Sequence, residues 1–547
     1  IKALELLRTR LLPSAAFFSE SEVEQLTALV ERLHQLSVNE EESDETRQVA
    51  LSTLQMLLHF LASHTQRHVP MLRAVLISTL GMVTSQGVCR PLVLQSLLVV
   101  GECIEQVKQE SIEVVNKLVP TLLQFLTPPQ QRHDDAPPVA ADDHLSASAA
   151  SVLYKLVEHV PKFLSRYMKE LVTLLCRLSW QHSEQQAVSA GKESSKLAHK
   201  LAALASLLKD KIEPRVLVPA LRAAYEELSS GSGDSILSVC GVLQLLQDFT
   251  ANMSTAAVTA SQPELLPILT LALSARHNHA SSDTLSSSTI DTLEESAVIS
   301  ITHLVMRQDE AANLKMFSTL QSWAQSLSSI HANIAFFRLV QNMASTLKVL
   351  FIKTHLADHV FSHAIQTLAQ TYSPGKKMKK RRGDSTVCLL LEHVLASLTQ
   401  IFTHDSVAFT SEIRFKQILD TIVDQVCNTV GGATLYQKRI SAQLEPCILS
   451  LCTAARSDAL WSDLNKKMLM LLRQDLEPEV HASVLSLTYS LVELLKEDWL
   501  QPLLTDTLPH VTEALESSHA VVEHQARRLL TLMEELMGEA VKEQLDV

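Results

Sequence analysis

Residues Leu118–Leu126 read LVPTLLQFL. A valine precedes a proline, and apolar side chains follow at the three- and four-residue steps of one helix face. Closely similar stretches recur as HVPMLRAVL around Pro70, HVPKFLSRY around Pro161, LVPALRAAY around Pro219, LLPILTLAL around Pro267 and TLPHVTEAL around Pro509. Proline suits the first turn of a helix, where its missing N–H would be unpaired anyway, so each stretch is read as a helix start. The first five prolines stand 50, 41, 58 and 48 residues apart. A paired-helix repeat is roughly 40–47 residues long, and the longer intervals coincide with polar insertions.

The rest of the chain agrees with that unit. Most of it reads as amphipathic helices; in Arg47–Ser63, for example, Val49, Leu51, Leu54, Leu57, Leu58 and Leu61 share one face. Polar loops separate such segments at Ser37–Thr46, Thr127–Ser151, Ser229–Ser235, Ala275–Ser296 and Ser373–Ser385. The 547 residues are 46% hydrophobic, but aromatics make up only 4% and there are only 12 glycines. A large sheet protein or a nucleotide-binding α/β enzyme needs more turns and more β-branched and aromatic runs. One helix pair cannot bury its own apolar face, so neighbours must stack. The expected fold is therefore all-α, a HEAT-like helical-repeat solenoid (an α-α superhelix), in preference to several separate bundles.

The net charge of −13 excludes a globally basic nucleic-acid coat but leaves room for a local basic patch. The eight cysteines are scattered through apolar segments without a C-x-x-C pair, the usage of buried thiols in a reducing compartment. Polar residues are read as interrupting every apolar run before the ~18 residues a bilayer span needs, so no membrane partner is expected. The chain opens on Ile1, which is read as a fragment or a processed chain.

No catalytic constellation emerges. There is no G-x-S-x-G elbow, no H-E-x-x-H, no Walker loop and no G-x-G-x-x-G. SSGSGDS at Ser229–Ser235 has close glycines, but no lysine follows and no strand precedes it, so it reads as a linker. Two groups carry metal-ligand residue types: His133, Asp134, Asp135, Asp142, Asp143 and His144, and His277, His279 and Asp283. Both fall in loops that nothing rigidifies, so both are read as solvated. His303 and His393 read as core-edge histidines. Glu534 and Glu535 read as a solvated helix face, and Arg382-Gly383-Asp384 as a chance match to an adhesion tripeptide. No metal, cofactor or small-molecule substrate is expected, and an enzyme is the least supported reading.

One stretch opposes the chain's acidity. SPGKKMKKRRGDS, Ser373–Ser385, places Lys376, Lys377, Lys379, Lys380, Arg381 and Arg382 within seven positions. Phe351–Tyr372 and Thr386–Phe402 read as helices on either side, and Ser-Pro-Gly breaks the chain between them. The run is a projecting loop, read as a nuclear or nucleolar targeting signal, a phosphate-contacting arm, or a solvated spacer.

A family resemblance rests on EAANLKMFSTLQSWAQ (Glu310–Gln325), NIAFFRLVQNMASTLKVLF (Asn333–Phe351), FTSEIRFKQILDTIVDQV (Phe409–Val426), DALWSDLNKKMLMLLR (Asp458–Arg473) and the closing Trp499–Glu539. In this order and spacing the segments resemble the C-terminal region of the HEAT repeat-containing protein 1 family. The residues that carry it are Phe317, Leu320, Trp323 and Ala324; Leu347, Lys348, Leu350 and Phe351; Leu460, Trp461, Leu464 and Asn465; and Leu508, Pro509, Glu513, Leu515, Glu516, Glu534, Gly538 and Glu539. The final AVKEQLDV departs from the family's short aromatic tail. Trp323, Phe317, Phe336, Phe337 and Trp461 are expected to anchor helix packing, and Gly538 to cap the last long helix.

The resemblance implies a non-enzymatic scaffold of the nucleolar small-subunit processome. It implies other processome proteins and pre-ribosomal and small nucleolar RNA as partners, and a link to transcription of ribosomal DNA by RNA polymerase I. An acidic solenoid equally suits a karyopherin-type transport adaptor; dependence on a GTP-loaded small GTPase would separate the two. The layout expected is HEAT-like repeats over 1–250, a family-specific helical module over 255–410 carrying the basic loop 373–385, and C-terminal repeats with capping helices over 411–547.

Overall fold

The computed structural model describes residues 2–6, 20–61, 68–85, 87–127, 143–188, 196–230, 238–279, 286–372, 385–495 and 500–537. Helices account for nearly all of them, and there is no strand among the described residues. The chain divides into two compact units, Ile1–Ile268 and Leu269–Val547.

Each unit is two layers of helices, with consecutive helices alternating between layers. In the first unit Asp44–Leu61, Arg90–Val107, Asp143–His159 and Lys196–Lys211 pack side by side, each on the next. Glu20–Val38, Val69–Thr84, Ile112–Leu126 and Met168–Val188 form the other row. In the second unit one row runs Ser287–Val305, Ile330–Leu347, Ser385–Thr403, Glu445–Ala455, Pro478–Leu495 and Ala520–Met537. The other runs Glu310–Leu327, Leu356–Thr371, Glu412–Val426, Asp458–Met470 and Leu500–Leu515. This is the HEAT-like helical-repeat architecture. In Asp44–Leu61 the buried face is the expected one: Leu51, Leu54, Leu57, Leu58 and Leu61 are all in the core.

The repeat length can be read from polar ties between equivalent helices. Gln55 and Gln95 are 40 residues apart, Lys209 and Asp248 39, Arg222 and Glu264 42, Thr302 and Asn342 40, and Asp420 and Lys467 47. These ties bracket the period more tightly than the prolines did.

The prolines themselves need correcting. Pro70 opens Val69–Thr84, and Pro161 opens a 3-10 segment, Pro161–Tyr167. Pro120, Pro219, Pro267 and Pro509 instead lie inside Ile112–Leu126, Pro214–Ser230, Thr255–Leu273 and Leu500–Leu515. An internal proline removes one helical hydrogen bond and frees the carbonyl four residues back. That is tolerated because none of the four is buried, so the freed carbonyls lie on a wetter side. At Pro120 the freed carbonyl, that of Asn116, accepts from the Tyr167 hydroxyl at 3.4 Å. Helix-opening prolines do occur, at Pro91, Pro214 and Pro478, outside the motif.

Three loop readings shrink. The acidic Ser37–Thr46 stretch reduces to residues 39–43, and a helix already begins at Asp143 within Thr127–Ser151. Ala275–Ser296 is largely helical, with Ala275–Asn278 and a helix starting at Ser287, whose hydroxyl-bearing predecessor Ser286 accepts from Thr289 N at 3.1 Å as an N-cap. The Phe351–Tyr372 helix is broken: Val349–Lys353 ends, His355 adopts a left-handed backbone at φ 60°, and Leu356–Thr371 begins. Two helices, Thr255–Leu273 and Ser385–Thr403, are long and apolar enough to cross a membrane by length and composition, contrary to expectation. The second packs on Ile330–Leu347 and Glu445–Ala455 as a core helix of its unit. All eight cysteines are free thiols.

Close approach sets one glycine. Where Val239–Asn252 meets Met168–Val188, a Cβ on Gly241 would lie 2.9 Å from the Cys176 carbonyl oxygen.

Candidate functional site

The basic run Lys376, Lys377, Lys379, Lys380, Arg381 and Arg382 lies outside the described residues, as does Gly538. The two helices that carry the run are described, and both meet the turn Cys427–Gly432. Near the end of Leu356–Thr371, the Leu368 carbonyl accepts from Gln425 Nε2 at 3.2 Å. Asn428 Nδ2 donates to Gln425 Oε1 at 2.9 Å. Tyr372 sits beside the same turn; burial, then the charges of Cys427 and Asp424, push its phenol up to about 12. In the first turn of Ser385–Thr403, Cys388 Sγ donates to the Val430 carbonyl at 3.4 Å.

The turn is held from beneath by Arg439. Its guanidinium donates to the Val430 carbonyl at 3.1 Å and to the Asn428 carbonyl. Tyr436 Oη donates to the Val426 carbonyl at 2.8 Å. These are carbonyls left over where Glu412–Val426 ends, and a cation there also faces the negative end of the helix dipole. Burial pulls the Arg439 guanidinium below its ordinary pKa, yet an arginine remains charged throughout the working range. Gly431 has φ +90°, and a Cβ there would run into Cys388 Sγ. The base of the basic run is thus a hydrogen-bonded platform. Beside it Thr429, Gly432, Ala433, Tyr436, Glu477 and Glu479 line a cleft of about 440 Å³.

The motif aromatics converge. Phe317 lies 5.7 Å from Phe336 and 6.2 Å from Phe351, ring centre to ring centre, and Phe336 lies 5.5 Å from Phe337. His363 packs 5.2 Å from both Phe336 and Phe337, and burial lowers its pKa, so it is the neutral ring that stacks. Such tilted and edge contacts suit the ring quadrupoles. Trp323 and Trp461 are half-buried, each with a satisfied indole: Trp323 Nε1 donates to Ser274 Oγ at 3.1 Å and Trp461 Nε1 to the Cys452 carbonyl at 2.8 Å. Buried Asn465 donates to Thr507 Oγ1 at 3.1 Å. Leu347 is half-buried, Lys348 is exposed, and Pro509 is an exposed mid-helix residue.

A polar cluster in the second unit had no counterpart in the sequence reading. Arg276 donates to both Glu294 oxygens, at 2.9 and 2.8 Å, and to Asp291 at 2.6 Å. Arg338 adds contacts to Asp291 at 3.2 Å and Glu294 at 3.4 Å. His393, bonded to Gln341 Oε1 at 3.0 Å, adjoins the cluster; burial first, then Arg338 and Arg276, lower its pKa to about 4. The Ser-rich composition around Arg276 hid this, because the partners come from three other positions along the chain.

Of the metal-type groups, His133, Asp134, Asp135, Asp142 and Asp283 lie outside the described residues. Asp143 and His144 fall in the first turn of their helix, and His277 Nδ1 is 2.9 Å from Ser329 Oγ. In the first unit Glu105, Glu158 and His159 bring one ligand atom each within 4.8 Å of one another. Lys155 Nζ lies 3.5 Å from Glu105 and 3.8 Å from Glu102, so an ammonium already answers that negative charge.

Comparison with known proteins adds to this geometry. Residues 257–410 match the model of the BP28CT (NUC211) domain. Over 99% of its length the chain is 26% identical to HEAT repeat-containing protein 1 of Danio rerio, and over 95% it is 27% identical to that of Homo sapiens. Over 82% it is 24% identical to the U3 small nucleolar RNA-associated protein 10 of Chaetomium globosum. The chain spans about a quarter of the length of these relatives: 25%, 23% and 24%. Among solved structures, the karyopherin Kap121p aligns with 100% of the chain and 53% of its own at 13% identity, with a TM-score of 0.43. The family resemblance read from the motif segments is shown by the curated relatives.

Proposed function

We propose that this chain is a segment of a non-enzymatic scaffold of the nucleolar small-subunit processome, acting in early pre-ribosomal RNA processing and small ribosomal subunit biogenesis. The observation that carries the reading is similarity along nearly the whole chain to proteins named HEAT repeat-containing protein 1, together with relatives named for association with U3 small nucleolar RNA. The structure supports it physically. Stacked helices present long edges to several protein partners at once. The acidic surface meets proteins. Contact with pre-ribosomal or small nucleolar RNA is confined to basic patches, the run Lys376–Arg382 among them, which also serves as the nucleolar address. A link to ribosomal DNA transcription by RNA polymerase I belongs to the same proposal.

The test is to express the tagged chain in nucleolus-containing cells and recover it with its partners. Enrichment of U3 small nucleolar RNA and processome proteins is expected. Their absence, with recovery of transport cargo released by a GTP-loaded small GTPase, would replace the scaffold by an adaptor. Changing all six basic residues of the run to Gln should reduce nucleolar accumulation or RNA crosslinking; if both persist, the run is a spacer.

A further inference from the structure

We propose that the segment Pro161–Tyr167, with the adjoining turn of Ile112–Leu126, is a contact site for single-stranded RNA in which Phe163 is the stacking surface. The choice of RNA rests on the ribosome-assembly reading above; the site itself rests on geometry. In a 3-10 helix, residues three apart share a face. Leu164 and Tyr167 are the buried pair, so Phe163 and Arg166 form the outward pair. The Phe163 side chain is 52% exposed, and it alone is exposed among the described phenylalanines.

The cations around that ring are placed on the exposed side of the segment. Arg166 lies 4.5 Å over the Tyr167 ring and donates to its hydroxyl. Tyr167 in turn reaches the Asn116 carbonyl that Pro120 frees, which brings Arg166 toward the turn bearing Lys117. Lys117, Lys162 and Arg166 are all exposed. In the same unit Arg73, Lys155, Lys169, Lys209 and Arg222 each pair with a carboxylate. Among the described residues, Lys117, Lys162 and Arg166 have no carboxylate within ion-pair distance. Glu113, one turn before Lys117, is taken by Arg73, and the segment holds no acidic residue of its own. A flat apolar face flanked by cations that no carboxylate neutralises is what a base and its neighbouring phosphates need: the ring stacks, the cations hold the backbone, and sequence is read little.

The experiment is fluorescence anisotropy with the whole chain and a labelled oligouridine 12-mer, with duplex RNA as control. Phe163→Ala should weaken binding about tenfold, Phe163→Trp should restore it, and duplex should bind no better than to Phe163→Ala. Lys162→Gln with Arg166→Gln should flatten the dependence of log K on log salt by about 1.4, two phosphates at ~0.7 each. Unchanged melting temperatures show that the exposed substitutions leave the fold intact. The proposal is overturned if the chain does not bind the oligomer, if Phe163→Ala and the double variant bind within about twofold of the parent, or if Phe163→Ala instead costs a protein partner while RNA binding stands. The basic-run variant and U3 recovery are read separately, so this site can fail while the scaffold reading holds.

Discussion

Removing Arg276 tests the buried cluster most directly. Glu294 is 0% exposed and takes two charge-assisted bonds from Arg276, at 2.9 and 2.8 Å. Arg276→Met keeps the length and apolar body of the side chain but leaves the carboxylate with Arg338 alone, at 3.4 Å. Stripping one partner from a buried pair costs about 3–5 kcal/mol. Since Arg338 remains, the lower end applies, about 3 kcal/mol. Hydrogen exchange reads it locally and needs no two-state assumption for a two-unit chain. Amides of Ser287–Val305 should lose protection on the order of 100-fold, while those of Asp44–Leu61 keep theirs. Glu294→Leu in the Arg276→Met background should recover much of the loss, because no buried charge is then stranded. The pH dependence has a definite sign. Burial raises the Glu294 pKa while Arg276 and Arg338 oppose it; without Arg276 it rises further. A carboxyl with a raised folded pKa binds more protons folded than unfolded, so stability falls as pH climbs through that range. The cost of Arg276→Met should therefore be smaller near pH 5 than at pH 7.5. A loss under about fivefold, or a double variant no better than the single one, would refute the account of a desolvated, mutually dependent pair.

Three further outcomes follow from local geometry. Gly431→Ala meets both a φ of +90° and the Cys388 sulfur, and should cost about 2 kcal/mol or more in a thermal or urea melt. Lys348 holds φ 52°, ψ −123° at the end of Ile330–Leu347, a conformation that disfavours a Cβ. Lys348→Gly should gain about 1 kcal/mol, seen as a melting temperature raised by a degree or more. His393, its pKa lowered to about 4, folds in its neutral form. Its contribution is complete above the unfolded value near 6.5 and is lost as pH falls toward 4. His393→Gln should flatten the acid limb of stability in that window, measured with Glu294 intact because that group trends the opposite way.

The architecture was largely legible because helical periodicity is a local signal. Leu51, Leu54, Leu57, Leu58 and Leu61 announce their face within one helix, and the Glu310–Phe351 aromatics stand on equally plain amphipathic helices. The prolines misled because the apolar pattern before and after Pro120 or Pro219 is the same whether the ring starts a helix or sits on its outer side. Only the buried neighbours and the Tyr167 hydroxyl reveal which. The Arg276 cluster was illegible for a different reason. Its members lie 15, 18 and 44–47 residues apart, and a lone arginine among serines and histidines reads as wet until the helix carrying Arg338 is in place. Phe163 belongs to the same class: its ring looks like any core residue until the 3-10 segment turns it outward.

The polar ties between successive repeats also decide how each unit bears load. Gln55 holds Gln95, Lys209 holds Asp248, and Thr302 holds Asn342, each reaching one repeat along and no further. Connections of that range make the stack mechanically serial. Pulled from its ends, a unit should yield one helix pair at a time, each pair of some 40 residues spanning roughly 140 Å when fully extended. A chain so built should lengthen in steps under tension and re-form them singly when the tension drops, which force-extension traces of the tethered chain would record.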